Sequence, residues 1–305
     1  MKEFYPEGIK RNKSGYSEAF LEQAAVSGEI LEAVALLCDA EHNLTVELGS
    51  MKGIIKREEG AMGIKEGKVR DIALISRVGK SVCFTVTGFE QTLTGEKIAI
   101  LSRRQAQEKF TDYMKENLRI GDIIEAKITH LDSFGAFCDI GCGVAALLPI
   151  DCISVSRITH PSDRFSGGMR IKAIIKATSK DGKVTLSHKE LLGTWQENAD
   201  LFSPHQTVSG VIRSVEDYGV FVELAPNLAG LAENFEGAKV GDTAGVYIKN
   251  IIPDKMKVKL IIIDICEEKY TPEINYFYQK DHIDRFEYSP KECEKKIFTD
   301  FCEDI

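Results

Sequence analysis

The chain has 305 residues, 43% of them hydrophobic, and its 47 acidic residues exceed 39 basic ones to leave a formal net charge of −8. This length predicts two or three domains with enough apolar side chains for packed cores. A charged start and the lack of a long apolar run argue against a secretory leader and a membrane helix, so we expect a cytoplasmic protein. None of the eight cysteines has Cys-x-x-Cys spacing, so we expect reduced thiols and neither a metal site nor a cofactor.

The chain begins with a polar segment followed by a small β module. Residues 1–23 are expected to be a lead-in, with a short helical pattern from Ser17 to Leu21. Residues 24–102 form the first module.

The two linkers between the modules are predicted to be helices. The helix predicted over residues 103–118 begins directly after Ser102, which together with Gln105 has the spacing of a capping box at a helix start. A second helix is predicted over residues 188–204, and there we expect Trp195 to pack between helix and module rather than to stack on a nucleic-acid base.

The second module, residues 119–187, is centred on Phe134-Gly135-Ala136-Phe137, which lies between two strand-like runs. Alternation with period two predicts which side chains point inward and which face water. On the preceding strand, Ile124, Ala126, Ile128 and His130 share one face. On the following strand, Ala136, Cys138 and Ile140 point inward, while Phe137 and Asp139 face water. Exposed rings beside a tight strand turn are typical platforms for stacked bases.

The second module is also the most basic part of the chain. Residues 119–189 hold ten Lys/Arg and seven Asp/Glu, a net charge of +3. Alternation places Arg170, Lys172 and Lys176 on one face of the fourth strand, and Lys183 follows an Asp-Gly hairpin turn. Because attraction to phosphate is local, this face favours nucleic-acid binding in spite of the acidic total.

The third module, residues 205–265, repeats the second. At a shift of 84 residues, Phe134-Gly135-Ala136-Phe137 matches Tyr218-Gly219-Val220-Phe221. At shifts of 73 and 74 the later strands match as well. The repeated unit of about 70 residues is a small domain rather than one supersecondary element. Outward positions on its later strands are Tyr247, Lys249, Lys257 and Lys259.

The last segment, residues 266–305, carries eight aromatic residues in forty positions. Such density argues against a disordered acidic tail. We expect a strand-like piece and a short helix that starts at Ser289-Pro290, both packed on the third module.

These motifs resemble the S1 RNA-binding domain, a five-stranded oligonucleotide-binding (OB-fold) barrel. The resemblance implies an all-β protein with helical linkers, three tandem barrels and an aromatic-rich C-terminal extension. It is specific in the second module and weaker in the first. In the first, residues 26–30 resemble the family's opening strand, 44–49 and 53–55 resemble the second and third, a fourth follows Gly67-Lys68-Val69, and 97–102 correspond to the fifth. The first module has His42, Asn43 and Thr45 where the others have rings. In the family, RNA crosses the two rings and a basic residue of the last strand, which correspond to Phe134, Phe137 and Lys183. The family's histidine after the third strand is replaced by Pro149 and Glu233.

Multidomain S1 proteins include the shorter relatives of ribosomal protein S1, and the resemblance implies a similar function. We expect a non-enzymatic, monomeric protein that binds single-stranded RNA and brings messenger RNA to the small ribosomal subunit, with the first barrel docked on ribosomal protein. No stretch is left for a catalytic domain once barrels and linkers are assigned. The alternative is a scaffold or regulator that acts with RNA-decay or transcription machinery. The predicted RNA-binding residues are Phe134, Phe137, Arg170, Lys172, Lys176, Lys183, Tyr218, Phe221, Tyr247, Lys249 and Lys257.

Overall fold

The computed structural model describes residues 4–9 and 15–302. Three closed five-stranded barrels follow one another along the chain, and a two-stranded sheet lies near the end of the described residues. This confirms the predicted all-β class with three tandem barrels. Within the described ranges, no helix has the length and apolarity needed to cross a membrane.

The chain divides into two compact units. The first barrel belongs to one of them, and the third barrel and the C-terminal segment belong to the other, together with most of the second barrel. The first unit comprises Met1–Arg119 and Asp139–Ala145, and the second comprises Ile120–Cys138 and Ala146–Ile305.

The strands of the first barrel are β1 Ile30–Cys38, β2 Leu44–Glu47, β3 Lys52–Ile55, β4 Ser81–Gln91 and β5 Lys97–Ser102. Their order in the barrel is β1-β2-β3-β5-β4, and the core includes Leu44, Phe84 and Leu101. The four α-helices of the described chain are α1 Glu18–Ser27, α2 Ile72–Ile75, α3 Arg103–Asn117 and α4 Trp195–Ala199.

Helix α1 corrects the predicted opening strand over residues 26–30. The hydroxyl of Ser17 caps the helix, and Leu21 and Ala24 are buried against the barrel. The helix continues to Ser27 and ends at Gly28, whose φ of 65° closes it in the left-handed conformation that glycine tolerates. The first strand therefore starts only at Ile30.

The strands of the second barrel are β6 Ile123–Asp132, β7 Gly135–Asp139, β8 Ala145–Pro149, β9 Arg170–Thr178 and β10 Val184–Ser187. Those of the third are β11 Thr207–Glu216, β12 Gly219–Ala225, β13 Leu228–Ala232, β14 Thr243–Ile252 and β15 Lys257–Cys266. The two barrels have related strand orders, β10-β8-β7-β6-β9 and β11-β12-β13-β15-β14.

Asp139 at the end of β7 is buried, which corrects the prediction that it faces water. Its carboxylate accepts backbone N–H groups from Glu7 at 2.7 Å, Gly141 at 2.9 Å and Gly143 at 3.0 Å. Because Glu7 lies 132 positions earlier in the chain, local alternation could not reveal this burial. Burial and the nearby Glu7 carboxylate raise the pKa of Asp139 to about 7.

We expect the first unit to lose stability as the pH rises towards neutral. The folded pKa of Asp139 lies above its ordinary value of 3.8, so the folded state holds the proton more tightly, and this stabilisation is lost as the pH rises through the folded pKa. Asp139→Asn should flatten the dependence between about pH 4 and pH 7. Hydrogen exchange of peptide 139–145, corrected for intrinsic rates, measures this pH dependence of stability. The exposed Asp181→Asn is the control. If stability changed with pH as steeply in Asp139→Asn as in the wild type, the expectation would be contradicted.

The segment after the second barrel is not the single helix predicted over residues 188–204. A 3₁₀ turn over Lys189–Leu192 ends at Gly193, whose φ is 86°, and α4 begins anew after Thr194. Thr194 and Glu197 form a capping box there, so the chain turns between two short helical pieces. Trp195 is buried, as expected of a packing residue.

A buried ion-pair network joins the second and third barrels inside the second unit. Glu223 of β12 accepts hydrogen bonds from Arg164, which precedes β9, and from Arg213 of β11, whose Nε lies 2.6 Å from the carboxylate. The side chains of Arg164 and Glu223 are fully buried. Nη1 of Arg213 also lies 3.6 Å from Oδ2 of Asp163. The carboxylate thus neutralises guanidinium groups from both barrels.

The C-terminal segment packs on both the second and the third barrel, whereas the sequence predicted the third barrel alone. Strands β16 Arg285–Glu287 and β17 Phe298–Asp300 pair, and the helix predicted from Ser289-Pro290 is replaced by turns. Phe286 and Tyr288 are buried in the core cluster that contains the third barrel. On the second barrel, the His282 ring bonds Asp122 at 2.6 Å.

His188 lies buried under this segment. Its Nδ1 is 2.8 Å from the Ile153 carbonyl oxygen and therefore carries the proton, while Nε2 is 3.2 Å from the Tyr276 hydroxyl. Burial, with a smaller effect of nearby Arg164, lowers the pKa of His188 to about 4.

We expect acid to destabilise the second unit through His188. Its folded pKa lies below its ordinary 6.5, so the unfolded chain takes up the proton first, and stability that is complete above about pH 6.5 is lost as the pH falls towards 4. The loss should reach about 3 kcal/mol. Urea titrations followed by the single tryptophan, Trp195, measure it. His188→Asn should reduce the acid sensitivity, whereas the exposed His130→Asn should not, and equal sensitivity in all three proteins would contradict the prediction.

Candidate nucleic-acid interface

The second barrel presents the predicted ring pair on its outer surface. Phe134 is 51% exposed, Phe137 is half-buried, and their ring centroids lie 5.8 Å apart with planes at 90°. Gly135 permits this arrangement, because a Cβ at that position would lie 2.5 Å from the Leu148 carbonyl oxygen. The turn therefore sets the Phe134 ring perpendicular to that of Phe137 on β7.

His130 joins this pair, although alternation had placed it on the face of Ile128. Both Thr129 and His130 are exposed, so the alternation of β6 breaks after Ile128. The imidazole lies 6.2 Å from the Phe137 ring centroid with planes 28° apart, an offset and nearly parallel arrangement. The only hint in the sequence is the polarity of the adjacent threonine and histidine.

The predicted basic face of β9 is divided in the structure. Arg170 is exposed at the start of the strand, but Lys172 and Lys176 are half-buried. The Lys172 backbone N–H donates to the Tyr276 hydroxyl at 3.0 Å, and the Lys176 ammonium lies 3.1 Å from the Cys152 sulfur. Their contribution to RNA binding stays a prediction.

The Lys176 ammonium remains charged in this half-buried place. Desolvation is the largest single effect and lowers its pKa, but the hydrogen bond to Cys152 and the attraction to Cys152, Asp151 and Glu190 together outweigh it, so the pKa ends above its usual value. Lys183 is exposed and directly precedes the last strand, β10. Within β10, Thr185 stands in register with Leu147 of β8.

The third barrel carries the same ring geometry. Tyr218 is 69% exposed, and its ring centroid lies 6.1 Å from that of Phe221 with planes at 88°. Phe221 is in register with Leu231 of β13, which is in register with Lys259 of β15. Ring, aliphatic side chain and lysine therefore occupy neighbouring positions across three strands.

Three further predicted residues lie on the later strands of this barrel. Tyr247 is half-buried on β14, and its hydroxyl lies 2.8 Å from Nδ1 of His205. Lys249 and Lys257 are exposed. The structure thus presents these three side chains on the barrel surface, outside the Tyr218–Phe221 pair itself.

The first barrel has no rings at the corresponding turn. His42 adopts a φ of 65° in this turn, and the Asn43 side chain accepts the backbone N–H of Arg57 at 2.9 Å, so Asn43 holds the turn rather than a ligand. Exposed aliphatic residues are found instead around α2 and the end of β1. They are Leu36, Leu37, Ile72, Ile75 and Val78.

Comparison with known proteins agrees with this geometry. Residues 117–189 match the family model "S1: S1 RNA binding domain". The chain is 30% identical over 182 residues to the small ribosomal subunit protein bS1 of Chlamydia muridarum, a match that covers 58% of this chain and 31% of the relative. The bS1 protein of Staphylococcus aureus (strain COL) is 35% identical over 182 residues, covering 57% of this chain and 46% of the relative.

A longer match extends over most of the chain. The bS1 protein of Leuconostoc lactis is 24% identical over 280 residues, covering 89% of this chain and 61% of the relative. Across these three relatives the matched part spans between 31% and 61% of the relative's length. The matches confirm the resemblance to the S1 RNA-binding domain over residues 117–189 and show that a longer part of the chain is similar to bS1 proteins. Among residues 4–9 and 15–302, no three metal-ligating side chains are grouped to hold an ion.

Proposed function

We propose that this protein binds single-stranded RNA on the ring pairs of its second and third barrels and holds messenger RNA at the small ribosomal subunit during translation. One observation carries the proposal, the repetition of a perpendicular ring pair with an exposed first ring at equivalent positions of two barrels. Bases stack on such rings without sequence readout, so the preference for particular sequences should be loose. Two linked sites gain affinity through effective concentration.

The ribosomal part of the proposal draws on the relatives. Those described above are small ribosomal subunit proteins by name, which favours this role over a scaffold for RNA-decay or transcription machinery. The first barrel lacks the ring pair at the corresponding turn and exposes aliphatic side chains, which suits docking on protein. We expect neither catalysis nor a cofactor, and a cytoplasmic location.

Fluorescence anisotropy of a labelled single-stranded RNA tests the RNA-binding part. We expect binding that weakens steeply between about 50 and 200 mM salt, because phosphate contacts release counterions. Duplex RNA of the same length serves as control and should bind more weakly, since its stacked bases cannot reach the rings. Absent binding, or equal affinity for both RNAs, would contradict the proposal. Cosedimentation with purified small ribosomal subunits tests the docking part separately.

A further inference from the structure

The outer face of the β14–β15 hairpin in the third barrel is an open apolar surface next to two lysines. Tyr247 of β14 stands in register with Ile261 of β15. Ile261 is 45% exposed, and Ile263, two residues on, is 53% exposed. Lys259 precedes Ile261 on the same face and is exposed, and Lys249 is exposed at a bulge in β14.

His205 completes this surface from the loop before β11. Its Nδ1 lies 2.8 Å from the Tyr247 hydroxyl, and the two ring centroids are 6.1 Å apart. His205 has a φ of 72°, a left-handed conformation that residues with a Cβ rarely adopt. The hydrogen bond fixes the Tyr247 ring at the edge of the apolar surface.

The same face of the second barrel is covered. Ile174, the counterpart of Tyr247 at a shift of 73, is buried in the core cluster against which Tyr276 and Tyr278 of the C-terminal segment pack. Ser187, the counterpart of Ile261 at a shift of 74, is buried as well. The face that one barrel uses for packing is therefore left open, with a tyrosine and lysines, in the other.

We propose that this face binds one further nucleotide of single-stranded RNA, with the base on Tyr247 and Ile261 and the phosphates on the lysines. We call it the hairpin subsite, and its residues are His205, Tyr247, Lys249, Lys259 and Ile261. It extends the RNA-binding function proposed above and rests on it. The ring pair connects to the subsite through Leu231, because Phe221, Leu231 and Lys259 are in register across neighbouring strands.

The charges on the hairpin favour RNA over a protein strand as the occupant. Two lysines flank the Tyr247–Ile261 floor, and phosphate is the group that they attract. The first carboxylate beyond Tyr247 along the paired strands is Asp264, which stands in register with Gly245. That acidic end limits the subsite to the half of the hairpin that carries the lysines.

The test measures binding of a labelled oligouridylate of about 16 nucleotides, long enough to cross one barrel, to the full chain and to its variants. Tyr247→Ala should weaken binding at least about fivefold, whereas Tyr247→Phe should keep the affinity within about twofold because the ring remains. Tyr270→Ala, at a 38% exposed tyrosine of the C-terminal segment, is the matched control and should bind like wild type. Melting curves followed by Trp195 verify that the variants fold.

A second variant removes charge instead of the ring. Lys249→Ala/Lys259→Ala should make the slope of log affinity against log salt shallower by about 1.4, since each phosphate contact to a single strand contributes about 0.7. Both lysines are exposed, so this variant should fold.

Two results separate the inference from the function on which it rests. Binding that Tyr218→Ala/Phe221→Ala weakens, but that Tyr247→Ala and the double lysine variant leave unchanged, would overturn the hairpin subsite and keep the proposed function. That outcome would assign the open face to a protein or to no ligand. A wild-type chain that binds no RNA would overturn both.

Discussion

Replacing Phe134 and Phe137 by alanine is expected to lower the affinity for single-stranded RNA at least about tenfold, because each base stacked on an aromatic ring contributes about 1–3 kcal/mol. The two rings stand on the surface of the most basic barrel, with centroids 5.8 Å apart. Phe134 is 51% exposed and so loses little packing when truncated. Anisotropy titrations at two salt concentrations measure the effect.

The matched experiment makes the same change in the third barrel. Tyr218→Ala/Phe221→Ala removes the equivalent rings and should also weaken binding, and all four substitutions together should abolish it at physiological salt. Phe298→Ala, at a 48% exposed ring of β17, should leave the affinity unchanged. If the Phe134/Phe137 variant bound RNA like wild type while remaining folded, the second barrel would not be a base-stacking site.

Removing the Glu223 carboxylate should destabilise the second unit by about 3–5 kcal/mol, because a buried charge that loses its partner keeps its desolvation cost. Arg164 and Arg213 both direct N–H groups at this carboxylate, and the Arg164 side chain is fully buried. Urea unfolding of Glu223→Ala followed by Trp195 fluorescence measures the loss. Trp195 reports this unit, since it belongs to the same core cluster as the third barrel.

The control for this prediction is Glu216→Ala, an exposed acid at the end of β11. It should change the free energy of unfolding by no more than about 0.5 kcal/mol. Glu223→Gln keeps the shape but removes the charge, so it should fall between the two. A loss below about 1 kcal/mol for Glu223→Ala would show that the network does not join the barrels energetically.

The barrels and the ring pairs could be predicted because their signals are local and repeated. Alternation of Ala136, Cys138 and Ile140 identifies the buried side of β7, and all three are buried. The match between Phe134-Gly135-Ala136-Phe137 and Tyr218-Gly219-Val220-Phe221 distinguishes surface rings from ordinary core phenylalanines. Individual positions in these strands could be predicted because the register of a strand pair fixes which residues lie next to each other.

Other features depend on partners that a pattern along the chain does not reveal. His130 turned outward because the alternation of β6 breaks, and Asp139 turned inward because Glu7 covers it. The predicted lysine face of β9 is covered at Lys172 by Tyr276, 104 positions later. The glycine at position 193 could have predicted the break in the 188–204 linker, because its positive φ of 86° is a conformation that glycine adopts readily and a helix does not contain.

Photochemical cross-linking of a 4-thiouridine-substituted RNA to the full chain locates the bound strand most directly. We expect cross-linked peptides that contain Phe134–Phe137 and Tyr218–Phe221, with the peptide of Tyr247 as the third site if the hairpin subsite is occupied. Excess unlabelled single-stranded RNA should suppress these cross-links, and duplex RNA should suppress them less. Cross-links confined to the first barrel or to the C-terminal segment, with both ring pairs unmodified, would contradict RNA binding on the ring pairs.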